Sequence, residues 1–473
     1  MVSGMTESVR RVGGVALLAV RASLRTKVVA ALLALLTACV LILPGVVKGD
    51  GTPEGDLHIL LSYTLGFSFG ILCLATLWAA CALFAAEIDS ARMQLSAVKP
   101  VRAAEFWAGK WLALLALNAV LLTAVYAAVY VQVRWRVRQN GWAAAECLLS
   151  RRVTHPVLPT PREEALQTYQ TMRRQNALPK GISEKSVLRA LEEKASERYD
   201  VVNPGDPMRW RFRLAHPVSL AEPVTVRVKF DTELSTREQV KGVFQLAASA
   251  YPERAVEVRL DDFTQNAIEF VVDTRAFADE GAKKGGAVAG AKGQDLESGK
   301  GSFREFDLTF QHAGDPKRSS ALMLRNRQDV VLLTPGGSFE ANLARAALIQ
   351  GSALALLAAF GLTLSACFSM PVAAFVATVL LMLTLVGNSV VQVVSDEDEK
   401  EWQNKVGIAV SRVVHQASGH ALKAEPLTAL AHGERIDGEV MGSSALWNMV
   451  LVPLAIAWAG CAVLRRRELA DGD

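Results

Sequence analysis

The chain has 473 residues, enough for two or three domains, with 51% hydrophobic residues, 21% charged residues and a net charge of +4. Its apolar residues gather into runs of membrane length, which excludes an ordinary soluble protein; the net charge says little by itself, and no nucleic-acid partner is expected. The six cysteines offer no disulfide framework, because Cys39, Cys73, Cys81, Cys367 and Cys461 fall in apolar runs and Cys147 stands apart.

Residues 1–27 place Val9, Val12, Ala16, Ala19, Val20 and Leu24 at helical spacing, with Arg10, Arg11, Arg21 and Arg25 among them. They read as a cytoplasmic, interfacial amphipathic helix or as a basic leader that only sets orientation, and both readings stay open. Val28 to Val47 is the first span. No small-residue cleavage pattern follows its LPGVVKGD end, so it is expected to remain as an anchor. Leu57 to Ala86 and Trp111 to Val133 are the second and third spans, and each exceeds the ~20 residues a helix needs to cross the hydrocarbon core. Between them lies the short charged stretch Glu87 to Lys110.

Arg134 to Arg345 divides by pattern into a helical entry, 160–199, and a strand-rich body, 208–334. Thr160, Pro161 and Glu163 form a capping box with proline at the first helical position, and a second helix starts after Ser183. From Met208 the period becomes two: Trp210, Phe212 and Leu214 alternate with Arg209, Arg211 and Arg213. The alternation returns from Val224, Ala255, Ala267 and Arg304, and further strands follow from Ala321 and Asp329. These short strands predict an antiparallel β-sandwich. Arg209, Arg211, Arg213, Arg227 and Lys229 read as a solvated sheet face in which Glu257, Glu269 and Asp273 pair across strands, rather than as a stripe for an anionic polymer. Ala278 to Gly301 is compositionally a linker, and its Gly285, Gly290 and Lys292 lack the Gly-Lys-Ser/Thr run of a phosphate loop.

Ala346 to Phe368 and Pro371 to Val394 are the fourth and fifth spans, Ser395 to Ala445 is a second outer segment, and Leu446 to Leu464 is the sixth span. The fold expected is therefore a six-helix integral membrane protein with an inserted extracytoplasmic α+β domain. Basic residues cluster at the N-terminus, in the loop after the second span and in Arg465 to Arg467, which puts both termini and that loop inside, in a bacterial-type inner membrane. Arg134 to Arg345 then lies outside, where the charge rule loses force for so long a segment.

No enzyme site is expected: the chain has no Gly-x-Ser-x-Gly elbow, His-Glu-x-x-His pair or Cys-x-x-Cys pair, and His415, His420 and His432 lack metal-site spacing. No metal and no cofactor bound by this chain is expected. Asn118, Gln350 and Asn388 stand inside apolar spans, where they either line a pathway or hydrogen-bond helix to helix.

The three cytoplasmic pieces leave no room for a folded inner domain of ~100 residues, so any cytoplasmic energy source must be another chain. In the loop, Glu87, Leu95, Pro100, Val101, Arg102, Phe106, Gly109 and Lys110 resemble the pattern of type-2 ABC transporter permeases, where a Glu follows helix two, a Leu-rich run leads to Pro-Val, and Gly-Lys opens helix three. The layout is similar too, including the tight turn at Phe368 to Val372 and Leu430, Gly433 and Ile436 in a Leu-x-x-Gly-x-x-Ile arrangement. Ala91-Arg92-Met93 replaces the commoner Gly-Thr-Leu, and the outer insertion is longer than is usual there. The resemblance implies a permease that pairs with a second permease and binds cytoplasmic ATPase subunits, which use the ATP, through the loop. In that loop Arg92, Lys99, Arg102 and Glu105 are expected to make charged contacts while Met93, Leu95, Val98 and Val101 fill a groove. An exporter is expected. The alternatives are a mechanotransmitting ABC complex acting on an envelope partner and a membrane sensor with a sandwich receptor domain.

Overall fold

The computed structural model describes residues 2–25, 27–47, 53–89, 102–140, 148, 150–157, 161–175, 184–196, 199–205, 207–219, 222–232, 238–264, 267–277, 302–313, 321–325, 329–394 and 426–470. The chain forms two compact units: Met1–Ser150 with Gly337–Asp473, and Arg151–Gly336.

The first unit is helical. Helix α1 is Val2–Arg25 and α2 is Lys27–Val46. Helix α3, Pro53–His58, runs through a π-helical stretch, Ile59–Thr64, into α4, Leu65–Asp89, and α5 is Ala103–Asn140. After the second unit come α8, Phe339–Cys367, and α9, Met370–Val394. Two short helices, α10 (Pro426–Ala431) and α11 (Gly438–Leu446), precede a second π-helical stretch, Trp447–Leu451, and α12, Val452–Ala470. Among the described residues, five helices are long and apolar enough to cross a membrane: Lys27–Val46, Gly55–Leu83, Ala103–Gln139, Phe339–Cys367 and Gly438–Val463, with a shorter apolar piece at Met370–Met382. This is the build of a multi-pass membrane protein.

Helix α8 is the post around which the unit packs, with buried residues all along it. Several neighbours are pinned to it by polar contacts, as expected where lipid removes the hydrophobic drive between helices. Tyr126 of α5 donates to Gln350 Oε1 at 2.9 Å, and Trp111 donates to the Ala355 carbonyl at 2.9 Å. Asn448 donates to Ser352 Oγ at 3.2 Å. Helix α4 comes close enough at Gly361 that a Cβ there would lie 2.7 Å from Ala80 Cβ.

The second unit opens on β1 (Ser150–Thr154), α6 (Pro161–Arg174) and α7 (Glu184–Ser196), both helices beginning where the capping residues place them. The strands that follow are β2 (Tyr199–Val202), β3 (Pro207–Ser219), β4 (Pro223–Lys229), β5 (Asp231–Thr232), β6 (Gln239–Ala248), β7 (Val256–Phe263), β8 (Ala267–Asp273), β9 (Ser302–His312), β10 (Leu322–Arg325) and β11 (Val330–Gly337). They form sheets of order β1-β11-β4-β8, β3-β9-β6-β7 and β2-β10-β5. The pairings β3–β9, β6–β9, β6–β7, β4–β8, β11–β4, β10–β2 and β10–β5 are antiparallel. Alternate residues of the two four-stranded sheets enter one hydrophobic core, among them Trp210, Phe212, Val226, Phe244, Ile268, Phe306, Phe310 and Leu332.

Several sequence boundaries move. The third long helix begins at Ala103, not Trp111, and ends at Asn140, so Gly109 and Lys110 sit inside it rather than at its opening. Helix α4 reaches Asp89, so both ends of the expected loop 87–110 are helical, and 90–101 lie outside the described residues. Helix α8 starts at Phe339, ahead of the expected Ala346, because Ser338 caps it by accepting from the Ala341 amide. Strands β1, β2, β5 and β6 join those expected.

Candidate coupling site at the start of α5

Of the residues singled out by sequence, Arg92, Leu95, Lys99, Pro100 and Val101 lie outside the described residues. Glu87 falls in the last turn of α4 and Asn388 in α9, where the backbone alone is described. Arg102 immediately precedes α5, and Glu105, Phe106, Gly109 and Lys110 lie in its first turns.

Glu105 starts the helix. Its carboxylate accepts from the Arg102 amide at 3.2 Å, which is the return half of a capping box, and a negative charge suits the positive end of the helix dipole. The same carboxylate accepts from the Ser8 hydroxyl and lies 3.8 Å from Arg11 on α1, and Glu105 is buried. Its charge is thus engaged within the chain, and it is not among the exposed charges expected to meet an ATPase. Arg102 next to it is exposed.

Gly109 is where α1 and α5 touch: a Cβ there would lie 2.7 Å from Val15 Cβ and 3.0 Å from the Val12 carbonyl oxygen. The expected apolar face of α1 splits accordingly. Val12, Ala16, Ala19 and Val20 are half-buried, whereas Val9 and Leu24 are exposed. Lys110, expected to be a charge that fixes orientation, is buried at 1% exposure. Its ammonium donates to the Leu83 carbonyl near the end of α4 at 2.5 Å and lies 4.5 Å from the centre of the Phe106 ring. One buried side chain therefore ties the end of α4 to the beginning of α5, while Glu105 and Gly109 tie α5 to α1. Trp107 and Trp111 stack at 6.0 Å beside them and, with Pro453 and Trp458 of α12, line a cavity of about 830 Å³.

The intramembrane amides connect helices. Asn118 accepts from Thr76 of α4 at 3.0 Å, and Gln350 accepts from Tyr126. Asn342 of α8 has no counterpart in the sequence reading. Its amide donates to the Glu434 carbonyl at 2.7 Å and accepts from the Ile436 amide at 2.9 Å, clamping the turn after α10. Gly433 makes that turn at φ +65°, with the Gly433 amide bonded to the Leu430 carbonyl and the Glu434 amide to the Ala429 carbonyl. The Leu430-Gly433-Ile436 arrangement is thus a helix stop that buries its Leu and Ile.

In the strand-rich unit the arginine row is paired. Arg209 and Arg211 meet Asp307 at 3.1 and 2.9 Å, Arg213 meets Glu305 at 2.9 Å, and Arg227 and Arg151 share Glu269. Glu269 was expected as a partner; Asp307 and Glu305 emerge from the register of β3 on β9. Burial alone would raise both Asp307 and Glu269, but hydrogen bonds and charge from the arginines outweigh it and hold both carboxyls below their ordinary values. Comparisons of the chain with protein-family models, with characterised proteins and with solved structures found no match.

Proposed function

We propose that this chain is the membrane-spanning permease subunit of an ATP-driven, ABC-type exporter, energised by a separate cytoplasmic ATPase and paired with a second permease. In this reading six helices cross a bacterial-type inner membrane, with α9 as the fifth, both termini inside and Arg151–Gly336 outside as a β-sandwich. The observation that carries it is the junction of α1, α4 and α5: Lys110 and Glu105 join three helices directly beside the segment 90–101, so force applied there moves all three together. Arg102 is exposed at its edge.

The test is Arg92→Glu with Arg102→Glu. Copurification of the cytoplasmic ATPase partner should fall and its hydrolysis should uncouple, since a wrong charge at a desolvated interface pair costs about 2–5 kcal/mol. Membrane insertion should persist, because the two other basic clusters still fix orientation. A correctly inserted double variant with wild-type copurification and coupled hydrolysis sinks the proposal.

A second reading, mechanotransmission to an envelope partner without transport, is favoured by one observation: the strand-rich unit has a complete hydrophobic core of its own. Substrate accumulation in inverted vesicles separates the two.

A further inference from the structure

Helices α5 and α8 leave a groove of about 710 Å³ along the membrane-spanning part of the helical unit. On α5 its wall runs from Leu115 to Tyr130, about 22 Å at 1.5 Å per residue, which exceeds one leaflet's share, about 15 Å, of the hydrocarbon core. The groove stays open because its walls are small: Ala119, Ala127 and Ala344 are exposed in it. Its lining is mostly apolar, with Thr123 and the Tyr126 phenol part-way along. Asn118, whose Nδ2 is buried without a hydrogen-bond partner, stands near one end, and at the other Tyr130 and Glu340 gather with Arg134.

That second end is built. Arg134 Nε donates to the Tyr130 hydroxyl at 3.0 Å, its guanidinium lies 5.4 Å from the centre of the Tyr130 ring, and it pairs with Glu340, which also accepts from Tyr130. Arg134 and Glu340 keep 51% and 45% of their side chains exposed, so a fixed positive and a fixed negative charge stand side by side at the mouth of an apolar slot. A transmembrane helix is a poor occupant. A segment 22 Å long and ~10 Å across fills roughly 1,700 Å³, more than twice the groove.

We propose that the groove is a binding site for one glycerophospholipid with a zwitterionic, amine-bearing head: an acyl chain lies along α5 and α8, the phosphate meets Arg134 and the ammonium meets Glu340. The site rests on α5 and α8 crossing a bilayer and is independent of whether the chain serves an ATPase.

The full-length protein is placed in nanodiscs of equimolar phosphatidylethanolamine and phosphatidylglycerol, then released gently for native mass spectrometry. The wild type should retain one phosphatidylethanolamine per chain. Ala127→Phe with Ala344→Phe, two exposed groove positions whose enlargement leaves the core untouched, should lose it. Glu340→Gln, which still accepts hydrogen bonds, should keep a lipid but shift the preference toward phosphatidylglycerol by about threefold, the scale of an exposed charge contact. Retention of phosphatidylethanolamine at the wild-type level in the filled-groove variant overturns the site. Equal retention of the two lipids by the wild type, or an unchanged preference in Glu340→Gln, overturns the headgroup assignment.

Discussion

The two units bury different chemistry. In the strand-rich unit the largest fully buried side chains are aromatic: Phe230 and Phe244 lie 4.9 and 4.5 Å from Phe310, and Trp210, Phe212 and Phe306 complete the core. Along α8 of the helical unit most buried residues are small or polar, including Asn342, Gln350, Ser352, Ala355, Ala358, Ala359 and Gly361, with Phe339, Leu343, Ile349, Leu354 and Leu362 the large apolar ones. Water drives the first set together, whereas apolar lipid offers no such gain and leaves close backbone approach and hydrogen bonds to hold the second. A truncation that is severe in one unit should be mild in the other, and a lost amide should rank the other way.

The largest expected effect is in the aromatic core. Phe310→Ala should destabilise the strand-rich unit by about 3–5 kcal/mol, read as faster amide exchange across β6 and β9, with exchange in α8 unchanged. Equal acceleration in both units would mean that their cores are energetically one.

Next comes the clamp. Asn342→Ala strands the Glu434 carbonyl and the Ile436 amide together, an expected loss of about 2–4 kcal/mol felt at the turn after α10 and read from exchange of the Ile436 amide. Asn342→Asp keeps the acceptor for Ile436 and should fall between. An Ile436 amide that exchanges as slowly in Asn342→Ala as in the wild type would remove the clamp.

The smallest effect is a pH dependence of the strand-rich unit. His312 is 4% exposed and stacks on Phe310, and burial lowers its pKa. Since the unfolded imidazole titrates near ~6.5, its contribution is complete above that pH and is lost as pH falls from there toward the depressed folded value. Asp307 and Glu269, lowered by their arginines, contribute fully above the ordinary carboxylate range near ~4, and that contribution disappears as pH falls through their depressed values. Melts should therefore weaken in two stages, and His312→Phe should remove the first. A single stage near pH 4 in the wild type would contradict the role given to His312.

The same contrast explains what could be read from sequence. Membrane spans and alternating strands announce themselves by period, so Trp210, Phe212 and Leu214 were legible as core. Strand β6 was not, because Gly242 interrupts its alternation; the glycine is needed there, since a Cβ would run into the Phe310 ring. Asn342, Glu105 and Lys110 carry no period. A lone amide or charge at the edge of an apolar run looks the same whether it faces solvent or a neighbouring backbone, and only the approach of α1, α4 and the 434–436 turn decides. Motif resemblance found Gly109 and Lys110 but placed them at the opening of the third helix, which begins at Ala103.

Helix α5 counts 38 residues and contains no proline, so it is a rod about 57 Å long. Its first two turns carry Glu105, Gly109 and Lys110, and its last turns carry Arg134 and Arg136. A tilt of roughly 10° about one end of such a rod sweeps the other by about 10 Å. Small rotations at the Lys110 end thus become displacements of atomic-group size at the far end, with a mechanical advantage fixed by helix length alone.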